Sequence, residues 1–169
     1  MSIALDYQRV DANADEQALK AQYLSAIRMI ERVHRLLLDV IKDEFERIGR
    51  TDVNSIQALL LFHIGDAELT AGELRTRGYY LGSNVSYNLK KLVHSGYINH
   101  KRSPTDKRSV RVHLTPKGKD VSLLVNRLFE RQLTMIEKVG GVSVADFRIF
   151  NQIVQRLERF WGDQIRYRL

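Results

Sequence analysis

The chain has 169 residues, 44% of them apolar, and carries a net charge of +7 with no cysteine. That length predicts one domain, or one domain with appended helices, and the apolar share suffices for a globular core. The absence of cysteine excludes disulfides and thiolate metal sites. Because the sequence has no long apolar run and no signal-peptide pattern, we expect a cytoplasmic protein without a membrane span.

The N-terminal part predicts one long helix. Residues 1–15 show no apolar periodicity and are expected to form a loose arm, whereas Glu16–Ile48 contains neither glycine nor proline. Apolar side chains recur in that second segment at three- and four-residue steps, as on one face of a helix. Such a helix would extend roughly 45–50 Å, more than a small domain buries by itself. A second subunit is the simplest cover, and a helix lying across its own domain is the alternative.

Two shorter helices follow. The first is expected to begin at a cap formed by Thr51 or Asp52 and to end near Gly65. It is apolar almost all round, which places it in the core. The second is expected to start at Thr70, where Glu73 completes a capping-box pattern.

The next helix, from Ser83 to Gly96, has two different faces. One face is apolar, and the other carries hydroxyl, amide, aromatic and lysine side chains instead of the usual mixture of Glu and Lys. Short polar side chains near a helix N-terminus suit base edges and phosphates in a major groove. An ordinary solvated helix face is the alternative interpretation.

Two alternating segments, 97–102 and 109–114, predict a β-hairpin. The tip between them carries Lys107 and Arg108, a pair that suits the negative potential of a minor groove, although a merely solvated turn is the alternative. The stretch Gly82–Lys119 holds nine Lys and Arg side chains against one acid, so its net charge of +8 exceeds the +7 of the whole chain. A local basic patch on a helix and a hairpin is typical of a nucleic-acid-binding surface.

The C-terminal part predicts two more helices. Thr115 and Pro116 form the start of the first, which is expected to run to Gly140 and Gly141. The last helix begins at Ser143 and has an apolar stripe formed by Phe147, Phe150, Val154, Leu157 and Trp161. Because helices at both chain ends need burial, the sequence indicates an intertwined dimer.

The order of these elements is that of a winged helix-turn-helix, and three motifs resemble those of the MarR family of dimeric bacterial transcription regulators. The motifs are Gly82–Leu92, Ser95–Ile98 and Asp106–Gly118, the last containing an Asp-x-Arg-Ser wing signature followed by Leu-Thr-x-x-Gly. The resemblance implies a mainly α fold with a small β-hairpin wing and with N- and C-terminal dimerisation helices. The expected divisions are an arm and dimerisation helix at 1–48, the DNA-binding domain at 49–119 and C-terminal dimerisation helices at 120–169.

The same resemblance implies a homodimer that binds a pseudo-palindromic double-stranded operator, as a repressor or a dual regulator, with no enzymatic activity and no cofactor. Many family members carry arginine where Tyr87 stands, so base contacts at that position are expected to differ. The residues expected at the DNA are Ser83, Asn84, Ser86, Tyr87, Lys90 and Lys91 in the helix and Asp106, Lys107 and Arg108 in the wing, where Asp106 is expected to orient Arg108.

Family members also bind small ligands, often aromatic acids, between the dimer helices and the winged domain. Ordinary core packing and a constitutive DNA binder without an effector are the alternatives, and a winged-helix module that binds proteins is disfavoured by the +8 stretch. Neither a phosphate loop nor a nucleophile or metal motif is present in the sequence. The residues expected to line a ligand crevice are Tyr23, Ile27, Arg28, His34, Leu59, Phe62 and His63.

Overall fold

The structure is a computed structural model that describes residues 3–70, 73–74, 82–102 and 110–167, with side chains from Ala14 onward except at 82–85, 102 and 110. The chain splits into two compact units, Met1–Ser122 and Leu123–Leu169. The described elements are, in order, helix α1 (Ile3–Arg47), helix α2 (Ser55–Ile64), strand β1 (Leu69–Thr70), helix α3 (Gly82–His94), strands β2 (Ile98–Arg102) and β3 (Val110–Leu114), helix α4 (Pro116–Ile136) and helix α5 (Val144–Tyr167). The mainly helical fold class with a small sheet is confirmed.

Helix α1 starts earlier than the apolar pattern indicates. It begins at Ile3, so the loose arm expected over residues 1–15 is wrong for the described residues. An apolar stripe is required only where a helix is buried, and residues that favour helices continue one in solvent. Helix α1 packs against α2, and among its described side chains Ile41 and Phe45, near its C-terminal end, are buried.

Helix α2 forms the centre of the core of the first unit, as predicted, and Gly65 follows its last residue. Its N-cap is Asn54, so the expected cap at Thr51 or Asp52 is wrong. The Asn54 side chain accepts a 2.9 Å hydrogen bond from the Gln57 amide, and the Gln57 side chain accepts one of 3.2 Å from the Asn54 amide. Asn54 is favoured because Gln57 lies three residues on and completes a reciprocal capping box.

The strands form an antiparallel sheet in the order β1–β3–β2. The predicted hairpin is confirmed for β2 and β3, which pair from Ile98 opposite Leu114 to Arg102 opposite Val110. Strand β1 was not predicted, because two residues are too few for a period-two pattern. It leads directly into the predicted capping box, in which the Thr70 amide donates to Glu73 at 2.6 Å and the Glu73 amide donates to the Thr70 hydroxyl at 3.0 Å.

The two C-terminal helices begin where the sequence predicts. The Thr115 hydroxyl accepts a 3.2 Å hydrogen bond from the Gly118 amide at the start of α4, and Ser143 and Asp146 exchange hydrogen bonds at the start of α5. Within the described residues, α5 contains no buried side chain. Among the helices that the structure describes, none is long and apolar enough to cross a membrane.

Candidate nucleic-acid interface

Helix α3 separates its side chains into a buried and an exposed face. Leu89 and Leu92 are buried, whereas the predicted DNA-contacting residues Ser86, Tyr87 and Lys90 are exposed, as is Lys91. Since positions three and four apart on a helix lie side by side, these four residues form one accessible surface. We call the exposed set Ser86, Tyr87, Lys90 and Lys91 the α3 face.

The other predicted DNA contacts are described less fully. Ser83 and Asn84 lie in the first turn of α3, but their side chains are not among those described. Asp106, Lys107 and Arg108, which stand between β2 and β3 in the sequence, lie outside the described residues. Their roles at the DNA stay predictions.

Tyr87 and Lys91 form a cation–π contact on the α3 face. The Tyr87 side chain is 59% exposed, and the Lys91 ammonium lies 5.2 Å from the centre of its ring. A cation at that distance is attracted by the negative face of the ring. The attraction restrains a large aromatic side chain that projects from the protein, so Tyr87 is partly ordered before any contact with a ligand.

A buried hydrogen bond fixes α3 from behind. The Gln57 side-chain amide donates to the side-chain oxygen of Asn88 at 3.3 Å, and each residue is 7% exposed. Gln57 is also half of the capping box that begins α2. Leaving the buried Gln57 side-chain amide without a partner would be costly. Gln57 therefore couples the start of α2 to the rotation of α3 about its own axis.

Tyr97 joins the end of α3 to the wing (residues 97–114) and to α4. Its amide donates to the carbonyl of Leu92 at 2.9 Å, and its carbonyl accepts from the Thr115 amide at 3.0 Å. Its ring is fully buried, the Lys117 ammonium lies 4.1 Å from the ring centre, and its hydroxyl donates to the Asp52 carboxylate. These contacts hold the root of the wing in a defined position relative to α3.

A small charged network surrounds that hydroxyl. Arg50 donates to Asp120 of α4 at 2.7 Å and to Asp52 at 3.1 Å. The Tyr97 hydrogen bond, followed by the one from Arg50, holds the pKa of the Asp52 carboxyl below its usual value. The bond to Asp120 is the main reason that the pKa of Arg50 is raised. The network connects the loop before α2 to the start of α4.

Two of the described cations of the +8 stretch are bound within the fold. The Lys117 ammonium donates to the carbonyl of Ser95 at 3.1 Å, and Lys119 donates to Asp66 at 2.8 Å and lowers the pKa of that carboxyl. These two lysines support the fold. The exposed cations with described side chains that remain are Lys90 and Lys91 on α3 and Lys101 and Arg111 on the sheet.

The predicted ligand-crevice residues are divided between two helices. Tyr23, Ile27, Arg28 and His34 lie along about 16 Å of α1 and are exposed or half-buried. On α2, Leu59 is buried, and the rings of Phe62 and His63 meet edge to face with their centres 5.5 Å apart. Burial lowers the pKa of His63. The convergence of the two sets in one crevice stays a prediction.

Sequence reasoning missed the residues that position the interface. It assigned no role to Asn88 and treated Tyr97 as the first residue of a strand. Two signals were available in the sequence. The amide of Asn88 stands beside the apolar residue Leu89, and Tyr97, an aromatic residue with a polar hydroxyl, directly follows Gly96. Neither signal identifies the partner across the fold.

Comparison with known proteins agrees with this arrangement. A family model described as a winged helix DNA-binding domain matches residues 53–118. The chain is 34% identical over 166 residues to the exopolysaccharide II synthesis transcriptional activator ExpG of Rhizobium meliloti (strain 1021), an alignment that covers 96% of this chain and 82% of that protein. Its fold is similar to those of a mutant MarR from E. coli complexed with operator DNA (TM-score 0.63, 19% identity, 80% and 95% of the two chains) and of Streptococcus pneumoniae FabT in complex with DNA (TM-score 0.64, 22% identity, 83% and 98%).

The chain belongs to the MarR family. It is therefore a DNA-binding transcription regulator with a winged helix, and the family comprises regulators rather than enzymes. Helix α3 and strands β2 and β3 all lie within the matched winged-helix region.

Proposed function

We propose that the protein acts as a homodimer that recognises a pseudo-palindromic double-stranded operator. Each subunit would insert α3 into a major groove and the wing tip into the neighbouring minor groove. The observation that carries the proposal is the α3 face, where Tyr87 and Lys91 are exposed and paired while Asn88 is fixed from behind by Gln57. The structures of similar fold include proteins bound to DNA, one of them to its operator. The proposed contacts are those of the α3 face together with Ser83, Asn84, Asp106, Lys107 and Arg108.

The uncovered apolar surface of α5 supports a dimer. Phe150, Ile153 and Phe160 are 56%, 45% and 53% exposed in the single chain. Large apolar side chains clustered on one helix mark a surface that another molecule covers. A two-fold symmetric partner is the commonest cover in soluble proteins. We accordingly assign dimerisation to residues 1–48 and 120–169, and DNA binding to residues 49–119.

Exposed apolar residues on α1 support the same assignment. Met29, Val33 and Leu36 are 53%, 52% and 51% exposed. They lie well before the buried residues Ile41 and Phe45, which α1 contributes to the core of its own unit. Exposed apolar side chains at such a distance from that core favour cover by a second subunit.

We further propose a dual regulator that acts in the cytoplasm. The relative with 34% identity over almost the whole chain is named as a transcriptional activator, which argues against a function restricted to repression. A small aromatic effector is the remaining part of the proposal. The adjacent rings of Phe62 and His63 would offer it an aromatic edge, and the lowered pKa of His63 favours a neutral imidazole there.

The test is fluorescence anisotropy of the purified protein with duplex DNA from upstream of its own gene, beside a scrambled duplex of the same length. Sequence-specific binding predicts a clear preference for the upstream duplex that persists at about 150 mM salt. Equal and steeply salt-sensitive binding to both duplexes would contradict operator recognition there. It would favour a winged helix whose partner is a protein.

Dimerisation is tested separately, by the molar mass of the protein in solution. The molar mass of the wild type and of Phe150→Asp is determined by size-exclusion chromatography with light scattering. The wild type should have the mass of two chains and the variant that of one, because an aspartate at a covered apolar position opposes burial. Gln155→Asp, which adds the same charge at another exposed α5 position, is the control. A wild type with the mass of one chain would refute the homodimer.

A further inference from the structure

The three-stranded sheet has two unlike faces. Leu69, Ile98, Val112 and Leu114 are buried and form its inner face. Because side chains alternate along a strand, the residues between them project from the other side. We call this second side the outer sheet face, and its described residues are Thr70, Asn99, Lys101, Arg111 and His113.

Two cations stand directly opposite each other on the outer sheet face. Lys101 of β2 pairs with Arg111 of β3 in the antiparallel register, and both side chains are exposed. Opposed residues on one face have their Cβ atoms about 4.5–5.5 Å apart, and like charges at that separation destabilise the sheet. On its other side Arg111 is paired with Thr70, which supplies no compensating charge.

The fold itself does little to offset this repulsion. Among the described residues, neither Lys101 nor Arg111 forms an ion pair with an acidic side chain. The Arg111 guanidinium makes one long hydrogen bond of 3.5 Å to the backbone carbonyl of Glu68. Lys119, by contrast, is neutralised by Asp66 at 2.8 Å. Within the described residues the like charges of Lys101 and Arg111 are therefore not offset by an acidic side chain, and an external anion would relieve their repulsion.

We propose that the outer sheet face binds the phosphate backbone of duplex DNA that flanks the base pairs read by α3. The inference rests on the proposed DNA-binding function and extends the contact surface beyond the recognition helix and the wing tip. A DNA strand presents one phosphate charge about every 3.4 Å along the helix axis. Two long cationic side chains on adjacent strands can therefore contact neighbouring phosphates of one backbone. Such contacts raise affinity without reading sequence.

The experiment measures binding as a function of duplex length. Upstream duplexes are shortened stepwise from both ends and titrated with the wild type, with Lys101→Gln/Arg111→Gln, and with Arg35→Gln/Lys42→Gln. The last variant removes the same charge from exposed positions of α1 and serves as the matched control, provided that light scattering gives it the same molar mass as the wild type. Thermal unfolding of all three proteins without DNA checks the fold, and relief of the repulsion predicts a midpoint for Lys101→Gln/Arg111→Gln at or above that of the wild type.

The wild type and the α1 control should lose affinity as the flanking base pairs are removed. The Lys101→Gln/Arg111→Gln variant should bind the long duplex about tenfold more weakly at low salt and should show little further loss on shortening. On the long duplex, the slope of the logarithm of its binding constant against the logarithm of the salt concentration should become shallower by about 0.9 for each phosphate that the variant no longer neutralises. Its preference for upstream over scrambled DNA should be unchanged.

Two outcomes would overturn the inference, and only the second of them also refutes the proposed function. A variant that loses affinity equally on long and short duplexes, or loses none, removes the outer sheet face from the flanking contact while wild-type operator preference stands. A wild type that shows no preference for any upstream duplex refutes operator recognition itself, and the phosphate contact with it.

Discussion

The side-chain amide of Gln57 donates a 3.3 Å hydrogen bond to Asn88 across the buried boundary between α2 and α3. Gln57 simultaneously accepts a hydrogen bond from the Asn54 backbone at the start of α2. One glutamine thus caps one helix and sets the rotation of the next, whose opposite side carries Tyr87 and Lys91. The orientation of the α3 face therefore depends on a polar contact on the opposite, buried side of the helix.

Asn88→Ala should lower the free energy of unfolding by about 1–3 kcal/mol, because it leaves the Gln57 amide without that acceptor. It should also reduce the preference for operator over scrambled DNA, since α3 loses a rotational constraint. Urea unfolding and anisotropy measure the two effects. Asn126→Ala, which removes an exposed hydrogen bond to Glu130 on α4, is the control and should cost less than about 0.5 kcal/mol. Equal losses in the two variants would show that the buried bond is energetically unimportant.

Tyr97→Phe should destabilise the protein in a pH-dependent manner. The Tyr97 hydroxyl is the main cause of the lowered pKa of Asp52. A carboxyl whose pKa is lowered in the folded state contributes stability above its unfolded pKa of about 3.9, and this contribution is lost as the pH falls through the folded pKa. The side chain of Asp52 is 46% exposed, so solvent screening limits the effect at neutral pH to about 1 kcal/mol.

The measurement is urea unfolding of the wild type and of Tyr97→Phe at pH 7 and at pH 3. The difference in unfolding free energy should be larger at the higher pH. Tyr167→Phe, at an exposed position of α5, should show no difference at either pH. A gap between wild type and Tyr97→Phe that is constant with pH would mean that the hydroxyl does not stabilise the Asp52 carboxylate.

Gly118→Ala should be strongly destabilising. A Cβ at Gly118 would overlap the backbone carbonyl oxygen of Tyr97, which cannot move without shifting the root of the wing. We expect a loss of about 2–4 kcal/mol, typical of a forced backbone shift in a packed region. Gly162→Ala is the matched control on α5, since nothing lies within 4 Å of its Cβ position in the single chain. It should gain up to about 1 kcal/mol from helix propensity. A fully stable Gly118→Ala would show that α4 and the wing are not closely packed.

Most of the fold can be predicted from the sequence because the strongest signals are local. The alternation of Leu89 and Leu92 with Lys90 and Lys91 identifies the two faces of α3, and the turn after it is marked by Gly96. Both follow from helix periodicity and from the backbone freedom of glycine, whose φ here is +75°. These signals identified the buried and the exposed side chains of α3 correctly.

What could not be predicted depends on partners that are distant in the sequence. Periodicity shows that Asn88 adjoins an apolar face but not that Gln57 lies opposite it. Composition counts Lys117 and Lys119 with the other cations, although Tyr97 and Asp66 hold them in the fold. Such pairings arise only when separate elements pack together, so the +8 stretch overstated the charge available to DNA.

Tyr87 is expected to contact a base. Its ring is 59% exposed and restrained by Lys91, so it can contact a base edge or a thymine methyl group without a large loss of side-chain entropy. Tyr87→Ala should lower the affinity for the operator about 10-fold more than that for scrambled DNA, since one base contact contributes about 1–3 kcal/mol of discrimination.

Lys91→Gln should weaken binding to both duplexes. The slope of the logarithm of its binding constant against the logarithm of the salt concentration should become shallower by about 0.9 for each phosphate that is no longer neutralised. Competition anisotropy at matched salt measures both, with Tyr167→Ala as the control for loss of an exposed tyrosine. If Tyr87→Ala and Lys91→Gln weaken both duplexes to the same extent, Tyr87 contacts the backbone and sequence is read elsewhere on α3.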